Sequence, residues 1–316
     1  MKSKVIKSIS FIIILITILI LLSLLFNPKN NSNEAGMHNR SANGILAEPD
    51  NTIDLMVIGN SEAYATIVPM ELWNDYGYTS YICASPEQPL PLTIRLVVEA
   101  LKHQKPKMII LEASSMHLTS DLSDASDQVL NHFFKVFQYH DRWKNLSKED
   151  FTSKPEYTNI NIMKGYEYSN EVVGLDVNTI EKTSESAAIP RVNQIYIRLI
   201  NYICKKNDIK FTIVRAPSSL YWSEEVYQNI KTFCDNNGMD YVDLNVGENK
   251  VTIDWTKETR DAGVHLNHVG AVKATKQLGK YLHSTNLLEN HKEDEKFKVW
   301  NEQYSEYKKI VNEKEK

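Results

Sequence analysis

Val57-Ile58-Gly59-Asn60-Ser61-Glu62 stands near the front of the chain, and Asp261-Ala262-Gly263-Val264-His265-Leu266-Asn267 stands near its end. The first segment puts a serine on the turn after an apolar run. The second supplies a histidine with an acid beside it, just ahead of a helical pattern. A serine hydroxyl is a weak nucleophile until a base takes its proton, and the base works best when an acid fixes its tautomer. Nucleophile, base and orienter are thus split between the two ends of one domain.

Outward from Gly59, strand and helix patterns alternate. Ile53 to Ile58 reads as a strand, and Glu62 to Tyr76 as a helix interrupted at Pro69. Thr79 to Cys83 is a second strand. A turn through Pro86, Pro89 and Pro91 follows, then a helix from Leu92 to His103 and a third strand from Lys107 to Glu112. Later, Ile195, Leu199 and Ile203, with Tyr196 and Ile200, give helical spacing over Val192 to Lys206. Lys210 to Val214 and Asp240 to Leu244 are strands, Glu224 to Asn236 and Val269 to His283 helices. This alternation predicts an α/β fold, a five-stranded parallel sheet with helices on both faces. Sites in such sheets lie at the carboxyl ends of the strands. Ser61 follows the first strand and His265 the fifth, so both belong on that edge.

The flanks read differently. Residues 1–7 carry three lysines, and residues 8–26 run without a charge, dominated by Ile and Leu. About 20 such residues cross a hydrocarbon core. A buried core helix would show a polar face, and a cleaved signal peptide a shorter run with a small-x-small site; here Asn27-Pro28-Lys29-Asn30 follows. The expectation is a single-pass transmembrane anchor with cytoplasmic lysines and an extracytoplasmic domain; cleavage is the lesser alternative. Residues 27–51, rich in Asn, Ser, Gly and Ala, read as a linker. The domain spans 52–286, with an insertion at about 114–189 suited to a lid or substrate cradle. In 287–316, Phe297, Trp300, Tyr304 and Tyr307 mark an amphipathic C-terminal helix, best read as packed or solvated.

A net charge of −4 and no basic stripe argue against a nucleic-acid partner. Cys83, Cys204 and Cys234 cannot pair completely, show no metal-ligand spacing and read as small buried side chains, with one disulfide left open. Taken alone, Ser61 could be a helix cap and His265 a buried structural histidine. The acid and histidine sharing one loop favour chemistry instead. Backbone N–H groups at Ser61 and Glu62, with Asn60 beside them, are the oxyanion candidates. Gln88, His140, Arg142, Trp143 and Asn267 are the substrate-contact candidates: Arg142 could hold a phosphate or carboxylate, and Trp143 could stack on a sugar. A surface Arg–Asp pair and a buried Trp are the plainer alternatives.

The strand-Gly-Asn-Ser block and the Asp-x-x-x-His-Leu-Asn-x-x-Gly-Ala block resemble the first and last motifs of the SGNH/GDSL hydrolase superfamily. Pro69-Met70-Glu71-Leu72-Trp73, Tyr139-His140-Asp141-Arg142-Trp143, Tyr241-Val242-Asp243-Leu244-Asn245 and Ile253-Asp254-Trp255 resemble a membrane-anchored branch from low-GC Gram-positive bacteria. Gly59-Asn60-Ser61-Glu62 is also similar to the serine motif of teichoic-acid D-alanyl transfer proteins, anchored or exported like the envelope O-acetyltransferases. The resemblance implies a flavodoxin-like three-layer α/β/α sandwich without metal or cofactor. It implies Ser61 as nucleophile, His265 as base and Asp261 as its orienting acid. It also implies an esterase or O-acyltransferase acting on an acetyl or D-alanyl ester of a cell-envelope polysaccharide or teichoic acid, with a membrane acyl-transfer protein as a candidate partner. The alternative is an inactive protein of that fold that binds a glycan or assembly partner. Three features depart from the pattern. Asp261 and His265 are one residue further apart than in Asp-x-x-His, an excess that Gly263 could absorb. Ala84-Ser85-Pro86 has no second-block glycine, and Leu111-Glu112-Ala113-Ser114 stands where a third-block asparagine belongs.

Overall fold

Leu55–Gly59 (β1), Ser80–Ala84 (β2) and Met108–Glu112 (β3) are buried at every residue, with no inside–outside alternation. That is the pattern of a parallel sheet covered on both faces. Lys210–Arg215 (β4) and Asp240–Asp243 (β5) complete it, and all four pairings are parallel in the order β2-β1-β3-β4-β5. The computed structural model describes residues 2–118, 122–175 and 188–315; parts of the insertion lie outside them.

In chain order the helices are Lys2–Phe26 (α1), Arg40–Asn43 (α2), Ser61–Thr66 (α3), Pro69–Tyr76 (α4), Leu90–Ala100 (α5), Leu122–Phe133 (α6), Lys135–Tyr139 (α7), Lys148–Thr152 (α8), Arg191–Lys206 (α9), Glu224–Asn237 (α10), His268–Ser284 (α11) and Lys298–Lys314 (α12). Pro69 opens α4 and so forces the expected break after α3. α3 and α4 pack with α11, and α5 packs with α9. Right-handed crossovers place these two groups on opposite faces, which makes three layers. From β1 the chain goes to β2 on one side and then crosses back to β3 on the other. The carboxyl end of β1 is therefore where strand order reverses, the usual position of a binding crevice.

Residues 3–26 form a helix apolar and long enough to cross a membrane. Its last turn is held by the insertion: Val136 N–H donates to Ser23 Oγ (3.2 Å), and Arg142 Nη1 donates to the Phe26 carbonyl (2.5 Å). Residues 27–51 do not behave as the expected linker. Ala42 and Ile45 are buried, and the Tyr81 hydroxyl donates to the Ser41 carbonyl (2.8 Å). Asn31 Oδ1 accepts from the Thr158 and Asn159 N–H groups. The polar side chains that suggest a linker serve here as caps for the insertion's backbone. Glu48 pairs with Lys164 at 2.7 and 2.8 Å, both side chains buried, and the Lys164 ammonium lies 4.6 Å from the centre of the Trp300 ring. Burial raises the Glu48 pKa and lowers that of Lys164, each opposed by the partner's charge.

The tail packs on the domain. Trp300 of α12 lies against Trp73 of α4 (5.4 Å between rings), and Tyr307 donates to Glu71 (3.0 Å). The three cysteines are free and buried, and burial pushes the Cys204 and Cys234 thiols up to about 12.

Two stability predictions follow from these buried groups. Lys164→Met strands the Glu48 carboxylate and is expected to cost about 3–5 kcal/mol. Lys164→Met combined with Glu48→Met should recover most of that loss, as urea denaturation of the detergent-solubilised chain would show. His117, after β3, has a mostly buried ring whose Nε2 lacks a partner among the described residues. Burial, then the Arg215 charge, lowers its pKa to about 4. As pH falls, the unfolded chain takes the proton first. The stability due to neutral His117 is therefore complete above about pH 6.5 and lost towards pH 4, by roughly 3 kcal/mol. His117→Gln should flatten stability across that window; an unchanged slope would exclude this role.

Candidate functional site

The turn that carries Ser61 is built from Gly59. At φ +154° its backbone suits glycine, and a Cβ there would meet Glu112 Cβ at 3.0 Å, Ala63 Cβ at 3.1 Å and Ser115 Oγ at 3.2 Å. Asn60 then caps α3: its Oδ1 accepts from the Glu62 N–H (3.1 Å) and from Ser114 Oγ (2.9 Å). Ser61 is thereby fixed as the first residue of α3, at the carboxyl edge of the sheet.

The histidine comes from a closed loop after β5. Thr259 and Leu266 bridge antiparallel, and the His265 carbonyl accepts from Arg260 N–H (3.1 Å) and Thr259 Oγ1 (2.9 Å). Between them, Ala262 (φ +59°) and Gly263 (φ +96°) turn through the left-handed region. Two residues, rather than Gly263 alone, absorb the longer Asp-to-His spacing. Asp261 then meets His265 twice: Oδ1 accepts from the His265 N–H (2.6 Å), and Oδ2 lies 2.5 Å from Nδ1. His265 Nε2 lies 2.8 Å from Ser61 Oγ. With Nδ1–H donating to the carboxylate, Nε2 is left as the acceptor for the serine proton.

Beneath this line sits a buried charge cluster. Arg215, at the end of β4, has its Nη1 3.9 Å from both Glu62 and Glu112. Burial opposes its charge, but Glu62 and Glu112 outweigh that and hold its pKa above the usual value. Glu112 Oε1 accepts from the Ala216 N–H (3.2 Å) and Oε2 from the Ser114 N–H (2.9 Å). The side chain at the third-block position therefore supports the turn and donates nothing to it.

The oxyanion candidates separate. The Ser61 N–H has no acceptor among the described residues. The Glu62 N–H is taken by Asn60, and the Asn60 side chain is used as the cap, so neither serves as expected. Sequence reasoning missed Tyr64, one helical turn beyond Ser61, whose phenol feels the Ser61 side chain. Burial, then the Glu167 carboxylate, raises its pKa and keeps the phenol neutral. Arg260 was also missed; it pairs with Glu167 (3.1 Å), and its charge is felt at Tyr64. The i, i+3 spacing from Ser61 was the available signal for Tyr64.

The expected substrate contacts lie elsewhere. Gln88 is fully buried, bonded to Ser85 (2.9 Å), Thr93 (2.9 Å) and the Cys83 carbonyl (3.3 Å). Asn267 caps α11 and donates to the Glu171 and Lys257 carbonyls. Arg142 is buried against Asp150 (2.8 Å) beside the end of α1, His140 Nδ1 lies 3.1 Å from the Phe137 carbonyl, and Trp143 is exposed. Gln88 and Asn267 serve a turn and a helix start, and Arg142 serves the Asp150 carboxylate and the Phe26 carbonyl.

No protein-family description matches the chain, and no curated protein matches it in sequence. Among solved structures it is similar to a GDSL-like lipase from Bacteroides thetaiotaomicron at 12% identity over 78% of this chain and 97% of that one, TM-score 0.39. It is similar to a lipase/acylhydrolase from Enterococcus faecalis at 11% over 75% and 98%, TM-score 0.38. It is also similar to an acetyl xylan esterase at 13% over 72% and 99%, TM-score 0.39.

Proposed function

We propose that this chain is a membrane-anchored serine esterase or O-acyltransferase acting on an acetyl or D-alanyl ester of a cell-envelope glycan or teichoic acid. One observation carries the reading: Ser61 Oγ, His265 and Asp261 form a continuous hydrogen-bonded line at the carboxyl edge of the sheet. Ser61 Oγ attacks the ester carbonyl carbon while its proton passes to His265 Nε2. The carbonyl π electrons move onto oxygen, which the Ser61 N–H and the Tyr64 hydroxyl can meet. Collapse breaks the bond to the alcohol, which leaves with the proton from His265, and an acyl-serine remains. Water or a sugar hydroxyl then attacks, gives its proton to His265, and releases Ser61 with the proton restored. Asp261 stays ionised and stabilises the imidazolium. Water makes the enzyme an esterase, and a sugar hydroxyl makes it a transferase. The apolar helix α1 and the resemblance of the serine block to envelope acyl-transfer proteins support the envelope substrate and the extracytoplasmic side.

The full chain in detergent is expected to react with a fluorophosphonate at Ser61, and Ser61→Ala should abolish labelling. His265→Ala should slow acyl transfer to an acetyl- or alanyl-ester substrate by roughly 10⁴–10⁶-fold. A folded chain that takes no label would refute the enzyme reading and leave the binding-protein alternative. Tyr64→Phe removes one hydroxyl and is expected to lower kcat by roughly 10²-fold with KM little changed. Unchanged kcat would take Tyr64 out of the reaction.

A further inference from the structure

The insertion exposes large apolar side chains that nothing in the catalytic site uses. Phe133 is 69% exposed, Phe151 68%, Trp143 63% and Phe137 44%. They stand on or between α6, α7 and α8, the short helices at the start of the insertion. Large apolar side chains exposed together on one stretch of chain mark a partner or a lipid phase.

What covers it follows from the helix beside it. α1 packs against α7, the His140–Lys144 turn and α8, the elements that carry Phe137, Trp143 and Phe151. The grip is on its final turn, where Ser23 is buried and Phe26 accepts from Arg142. Arg142 is itself fixed by Asp150, and the Tyr157 hydroxyl reaches the Pro28 carbonyl (3.3 Å). At about 1.5 Å per residue, some 20 residues fill a hydrocarbon core about 30 Å thick. Counted from Ser8, after the three lysines, the uncharged run to Phe26 extends about 28 Å, so the last turn of the helix ends at the far edge of the hydrocarbon. Whatever holds that turn lies at the boundary between hydrocarbon and headgroups.

We propose that the face of α7, the His140–Lys144 turn and α8 rests in the interfacial layer of a phospholipid bilayer, with Trp143, Phe137 and Phe151 as its embedded side chains. This rests on the reading that α1 spans a membrane. The Trp143 indole favours that depth because an apolar ring carries one polar N–H, and the phenylalanine rings bury against the adjoining acyl boundary. The Lys144 ammonium lies 5.5 Å from the centre of the Trp143 ring, and Lys148 is exposed nearby, so both can reach lipid phosphates. The domain would then stand on the membrane at two points, the helix exit and this aromatic face.

The test uses the full chain in vesicles of phosphatidylcholine and phosphatidylglycerol whose acyl chains carry bromine near the headgroup. Of the five tryptophans, Trp73 and Trp300 are buried, Trp222 and Trp255 half-buried, and Trp143 exposed. Shallow bromine should quench emission in the unmodified chain, and Trp143→Phe should remove the quenched component. Equal quenching in the two chains, or none in either, would overturn the proposal. Alkaline carbonate extraction separates the two readings. A chain that stays in the membrane with Trp143 unquenched leaves the anchor standing and sinks the docking face. A chain that washes out sinks both.

Discussion

A guanidinium buried where three strands end is the constraint around which the site is arranged. Arg215 is 2% exposed, and an unpaired charge at that depth would cost several kcal/mol. Its carboxylate neighbours come from two other elements: Glu112 closes β3, and Glu62 opens α3 beyond β1. The ends of β1, β3 and β4 therefore have to stay at fixed spacing, and the first turn of α3 has to keep one rotation. Ser61 is the residue immediately before Glu62, so the same cluster that neutralises Arg215 fixes the direction of the Ser61 side chain. It also explains Glu112. An amide there could donate towards a developing oxyanion, whereas a carboxylate only accepts. Its oxygens accept from Ala216 and Ser114, which puts the residue in the support of the site.

The second constraint is the loop that presents His265. An acid four residues before a histidine can reach its ring only if the chain between them doubles back. Two successive left-handed residues, Ala262 and Gly263, make that reversal. A Cβ on Gly263 would lie 2.5 Å from Ser219 Oγ, so glycine is needed for space as well as for φ. Ala262 bears its strain because neighbouring backbone holds it: its N–H donates to the Val173 carbonyl (2.9 Å), while the Gly263 N–H donates to Thr259 Oγ1 (2.8 Å). An insertion relative to the shorter spacing thus leaves the acid–base contact intact, with Asp261 bonded to both the backbone and the ring of His265.

The sheet was legible because fully buried strands are unbroken apolar runs and their crossover helices keep a 3.6-residue period. Ser61 and His265 were legible because their neighbours carry a chemical requirement, a turn after a strand and an acid within reach. Gln88 and Asn267 were misread for one shared reason, whereas Arg142 is taken by Asp150 and the distant Phe26 carbonyl. A polar side chain near a proline or a helix start serves its own backbone as readily as a ligand, and sequence alone does not say which. Residues 27–51 misled in the same way, since Asn31 looks like linker and acts as a cap for Thr158 and Asn159. Tyr64 and Arg215 escaped notice because burial gives them their roles, and neither lies in a motif.

The insertion links regions that look independent in the sequence. At one end, Val136 and Arg142 hold the last turn of α1. At the other, Val173 N–H donates to the Thr259 carbonyl (3.0 Å), and the Ser169 carbonyl accepts from His268 N–H (2.7 Å), on either side of the histidine loop. Between them, Lys164 is tied to Glu48 in the segment that leads out of α1. A flexible linker would let a catalytic domain sample a broad range of distances from its anchor. Here the path from Phe26 to His265 runs through buried polar contacts that are costly to break. In a membrane-anchored chain, the active-site edge would stand at a fixed height and orientation over the bilayer. On the proposed function, substrate selection would then depend on which esters reach that height as well as on the groups around Ser61.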